Sequence, residues 1–147
     1  MQRRRGRRTL ERMPSPIRRP DRATRLLSAA ERDGTHCVWC RRECTGLIRA
    51  TTDHLVPKVK GGPSWLENEV VSCGRCNRER GHLSPVDWFV ECERRGWCPD
   101  LGAVVGTLRS LGQAITARGG RRRARPYLAA QLRRLARLEA ERTRLAS

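Results

Sequence analysis

Four of the seven cysteines in this 147-residue chain fall into two C-x-x-C pairs, Cys37/Cys40 and Cys73/Cys76. A C-x-x-C turn aims two thiolates at one point, and two such turns complete the tetrahedral shell of a Zn²⁺ ion with Zn–S distances near 2.3 Å. With all four positions filled by cysteine no coordination site is left open, so the ion is expected to be structural. The 32 residues between the pairs exceed the usual spacing of a plain zinc ribbon, so a further segment is inserted between the two knuckles. Cys44, Cys92 and Cys98 stand outside the pairs and are expected to be small apolar residues in a reduced interior.

Charge narrows the partner. The chain carries a formal net charge of +17 and a sequence pI near 11.4. Residues 1–25 hold ten arginines against two acids and residues 118–144 another ten against two, whereas the remainder balances twelve basic against eleven acidic residues. A nearly neutral body with two cationic arms fits a polyanion held through its phosphate backbone, DNA first and RNA as the alternative. No apolar run approaches the ~20 residues of a membrane span and no apolar segment of a secretory signal follows the basic start. A soluble, cytoplasmic protein without a membrane partner is expected, a setting in which paired cysteines bind metal more readily than they form disulfides.

Pattern then suggests the elements. The Arg- and Pro-rich stretch 1–20 offers no apolar face and reads as a disordered basic arm. Asp21 can cap a helix that stops at Asp33-Gly34. Leu47–Thr52 suits a strand, Gly61-Gly62-Pro63 a loop, Glu69–Ser72 a second strand, and a helix is expected to begin around Cys73–Asn77. Ser84-Pro85 starts a further helix that ends near Gly96. Leu101–Ile115 is a helix weakened by its glycines, and Pro126–Ala146 is amphipathic. Three parts follow: the arm 1–20, a zinc-stapled domain 21–98 and an Arg-rich helical segment 99–147.

Within the insert lie Asp53-His54-Leu55-Val56-Pro57 and Asn68, and Asn77 follows the second pair in Cys73-Gly74-Arg75-Cys76-Asn77-Arg78-Glu79-Arg80-Gly81. Over roughly residues 35–82 this pattern resembles the HNH endonucleases, in the branch stapled by zinc. The resemblance implies an α+β fold built on a small ββα-metal (HNH) unit with a four-cysteine structural zinc site, flanked by helices and basic disordered termini. It also implies hydrolysis of DNA phosphodiester bonds by a His general base and one divalent cation. His54 suits the base, because an imidazole with a pKa near 6.5 can accept a proton from water at neutral pH. Asp53 and Asn77 offer the hard oxygen donors of an Mg²⁺ or Mn²⁺ site, and Asn68 is implied to brace the hairpin and the His54 loop. The second His of the family pattern is replaced by Asn77, which favours Mg²⁺ or Mn²⁺ over softer metals. Lys58, Lys60, Arg78, Arg80 and His82 are candidate nucleic-acid contacts.

Two other functions compete. A non-catalytic zinc module that binds nucleic acid would have no need of the Asp53/His54 pair. An RNA-binding protein would be expected to show a stacking surface, yet one Tyr, one Phe and four Trp are scattered along the chain.

Overall fold

The computed structural model describes residues 18–147; most of the expected basic arm lies outside them. The fold is α+β: a two-stranded antiparallel sheet, five α-helices and two short 3-10 turns among the described residues. Helix α1 (Arg22–Asp33) begins where the Asp21 carboxylate accepts from the Thr24 amide at 2.8 Å and ends at Gly34, with φ 87°. Side-chain capping of an otherwise unpaired amide accounts for the start, and the positive φ at glycine for the stop. The loop carrying Cys37 and Cys40 follows, and then strand β1 (Ala50–His54), which pairs with β2 (Glu69–Cys73) in a register that sets Ala50 opposite Cys73 and His54 opposite Glu69. Helix α2 (Gly74–Arg80) leaves β2 directly, with Cys73 as its cap. The strand, loop, strand, helix order expected from sequence is present, with β1 starting three residues after Leu47 and ending two beyond Thr52.

Helix α3 (Pro85–Arg94) starts from Ser84, whose hydroxyl accepts from the Asp87 amide at 3.0 Å. Helix α4 (Leu101–Arg118) runs unbroken through Gly102, Gly106 and Gly112. Burial of Val104, Leu108, Leu111 and Ile115 outweighs the propensity cost of about 1 kcal/mol per glycine. Helix α5 (Ala124–Leu145) packs on α4 and α3 through Leu128 and Leu135. The C-terminal segment thus shares its core with the part that carries the four paired cysteines: Trp39, Leu55, Val70, Trp88, Phe89, Leu108 and Leu135 belong to a single buried cluster.

The β1–β2 connection is held from inside by Asn68, which is fully buried. Its Oδ1 accepts from the Val56 amide at 2.9 Å, and its Nδ2 donates to the carbonyls of Val56 (3.0 Å) and Pro63 (2.9 Å). The loop closes so tightly that a Cβ on Gly62 would sit 1.7 Å from the Val56 carbonyl oxygen. Only glycine fits there.

Candidate active site

Cys37 and Cys40 lie in the turn after α1, while Cys73 ends β2 and Cys76 lies in the first turn of α2. Their four sulfur atoms lie within 4.8 Å of one another, and the Cys40 and Cys73 sulfurs are 3.9 Å apart. A tetrahedron with metal–sulfur bonds of about 2.3 Å has edges of about 3.8 Å, so the quartet is sized to hold a metal ion. It is the only cluster of three or more metal-ligating side chains among the described residues. Of the cysteines outside it, Cys92 is buried and burial pushes its thiol up to about 12, so it stays protonated. Cys98 is exposed, which departs from the buried position expected for it.

His54 ends β1, with its side chain 20 % exposed, in a cleft of about 300 Å³. Arg22, Arg25, Lys58, Asn77 and His82 also line this cleft. Burial, and then the positive charges of Lys58, Arg25, Arg22 and Arg80, push the imidazole down to about 4. Glu69 lies 3.2 Å from the ring and is also held by Arg25. The ring is therefore neutral at pH 7, the state a proton acceptor needs. Asn77 turns its Nδ2 to the Thr52 carbonyl at 3.0 Å, which leaves its amide oxygen available to a ligand.

Two expected roles need correction. Alternation along β1 sends Asp53 to the face opposite His54, and the Asp53 side chain is buried. Its Oδ1 accepts from Arg80 Nη1 at 2.5 Å and its Oδ2 from Trp39 Nε1 at 2.8 Å. Both oxygens are engaged in the core, so Asp53 is not set to hold a catalytic cation. Arg80, expected on a phosphate, is 2 % exposed, stacks over Trp39 and also donates to the carbonyls of His54 and Leu55. It serves as an internal strut beneath His54. Asp53 also borders the cleft, but with both carboxylate oxygens committed to Arg80 and Trp39 it leaves Asn77 and His82 as the remaining donors, which do not by themselves make the expected Mg²⁺ or Mn²⁺ site.

The other expected contacts are distributed around the site. Lys58 borders the His54 cleft, and Arg78 lines a neighbouring groove of about 980 Å³ together with Arg22, Arg42, Arg49 and Arg75. Lys60 sits 6.0 Å from the Tyr127 ring and away from His54. Sequence reasoning misses the α1 contributions, Arg22 and Arg25, because their spacing is that of an ordinary amphipathic helix. It also misses Glu69, whose signal is a lone carboxylate in a strand otherwise free of charge. Arg22 donates to the hydroxyls of Thr51 and Thr52, and Arg25 grips Glu69.

Residues 37–83 match the family model described as HNH endonuclease, about a third of the chain, and this stretch is an HNH domain. Comparison with curated proteins and with solved structures yields no match. No helix among the described residues is long and apolar enough to cross a membrane.

Proposed function

We propose that this protein is an endonuclease that hydrolyses DNA phosphodiester bonds, with His54 as general base and a structural Zn²⁺ in the cysteine quartet. One observation carries the reading: the His54 cleft lies at the middle of a basic track. It shares Arg22 and Asn77 with the larger arginine-lined groove on one side, and Arg25 and Lys58 with a cleft beside Trp65 and Arg121 on the other. A polyanionic strand laid along the track would pass over the neutral imidazole of His54. His54 then takes a proton from water, the resulting hydroxide attacks phosphorus, and the P–O bond to the leaving oxygen breaks. Arg22 and Lys58 offset the charge that develops on the phosphate. A divalent cation held by Asp53 does not fit the donor set and has no part in these steps.

The sequestered Asp53 favours a second reading, a zinc-stabilised module that binds nucleic acid without cutting it. Nicking of supercoiled plasmid by the zinc-loaded protein, with and without Mg²⁺ or Mn²⁺, separates the two. Nicking that disappears in His54→Ala supports the nuclease, and binding without nicking under every condition supports the module.

A further inference from the structure

Glu69 opens β2, directly across the sheet from His54, and is completely buried. A carboxylate out of contact with water must be matched by donors, and Glu69 has them. Arg25, reaching across from α1, donates through Nε to both carboxylate oxygens at 3.0 and 2.9 Å. The other neighbour is His54, whose Nε2 lies 3.2 Å from Glu69 Oε1 and 3.1 Å from the Ser64 hydroxyl. An ionised carboxylate only accepts, so its contact with Nε2 is satisfied when that nitrogen carries the proton. In a neutral imidazole the remaining lone pair is then on Nδ1.

We propose that Glu69, clamped by Arg25, is a positioning residue that fixes His54 in the Nε2–H tautomer and so makes Nδ1 the atom that accepts the proton. The proposal rests on the reading of His54 as general base. It also extends the site beyond the HNH match, because Arg25 lies upstream of residue 37. Helix α1 then does more than cover the sheet: it supplies the guanidinium that holds the Glu69 carboxylate beside the ring. Ser64, from the loop braced by Asn68, lies within 3.1 Å of the same nitrogen, so its hydroxyl can share the Nε2 proton with Glu69.

The test is long-range ¹H–¹⁵N NMR of the full-length, zinc-loaded protein labelled at histidine, with the His54 signals assigned by their loss in His54→Ala. Wild type should show the Nε2–H tautomer at pH 7. Glu69→Gln keeps the size of the side chain but can donate as well as accept, so it should admit the second tautomer. In the nicking assay it should lower kcat by roughly ten- to a hundredfold, part of the roughly 10²–10⁴ that a positioned base supplies, with KM and zinc content near wild type. An Nδ1–H tautomer in wild type overturns the proposal, as does an unchanged tautomer in Glu69→Gln, whatever happens to kcat. Should Glu69→Gln fail to fold, the wild-type tautomer alone decides. The NMR result stands even for a protein that cuts no DNA, so failure of the nuclease reading and failure of this proposal are told apart.

Discussion

Replacing Asp53 with alanine distinguishes a structural carboxylate from a metal ligand, and the structure sets the size of the effect. The Asp53 and Arg80 side chains are 4 % and 1 % exposed and meet at 2.5 Å. Removing one partner of such a pair leaves the other charge buried and uncompensated, a cost of about 3–5 kcal/mol. The orphaned Trp39 N–H falls within the same range, since an unsatisfied buried donor costs about 1–3 kcal/mol and local rearrangement absorbs part of it. Against a total stability of about 5–15 kcal/mol this is a large fraction. At about 2–4 °C per kcal/mol for a chain of this size, Tm should fall by roughly 6–20 °C. The measurement is thermal unfolding followed by circular dichroism, in buffer free of Mg²⁺, Mn²⁺ and chelator so that the cysteine site keeps its ion. A metal ligand would behave otherwise: its loss would leave cation-free stability almost unchanged and would instead weaken the cation dependence of activity. An Asp53→Ala variant with wild-type Tm would refute the assignment of Asp53 to the core.

Other perturbations probe the remaining parts. Arg22→Ala and Arg78→Ala should each weaken DNA binding and reduce the slope of log K against log salt by about 0.9, measured by fluorescence anisotropy across a salt titration; an unchanged slope would place the phosphate contacts elsewhere. Because His54 is held down to about 4 and the base must be unprotonated, cleavage should stay level from about pH 8 to about 5 and fall only as pH approaches 4. An inflection near the ordinary histidine value of about 6.5 in the pH–rate profile would contradict that environment. Gly62→Ala places a Cβ 1.7 Å from the Val56 carbonyl oxygen and should disrupt the braced loop, abolishing nicking and lowering Tm; wild-type behaviour in both assays would exclude the steric argument. Cys76→Ser should lose the ion and unfold the body, because binding at a structural site is coupled to folding. Native mass spectrometry should find one zinc per wild-type chain, and a folded, metal-free wild type would refute the site.

What could be read from the sequence was local. The C-x-x-C turns, the Asp21 and Ser84 caps and the order of strands and helices each depend on residues a few positions apart, and the structure has them within a few residues. Alternation along β1 also separates Asp53 from His54. It does not say what each face meets. Arg80, which claims Asp53, comes from a helix 27 positions later and looks in sequence like any surface arginine beside the zinc knuckle. Glu69 and Arg25 are 44 positions apart and meet only because α1 packs across β2. The interior of the site therefore depended on long-range packing, whereas its scaffold was specified by spacing.

The central claim is that His54 is the proton acceptor of a phosphodiester-cleaving site, and single-turnover nicking of supercoiled plasmid by His54→Ala tests it most directly. The variant should be inactive at every Mg²⁺ or Mn²⁺ concentration, while its zinc content, Tm and DNA affinity remain close to wild type, because a general base acts chiefly in the transition state. Cleavage by His54→Ala at the wild-type rate would contradict the account.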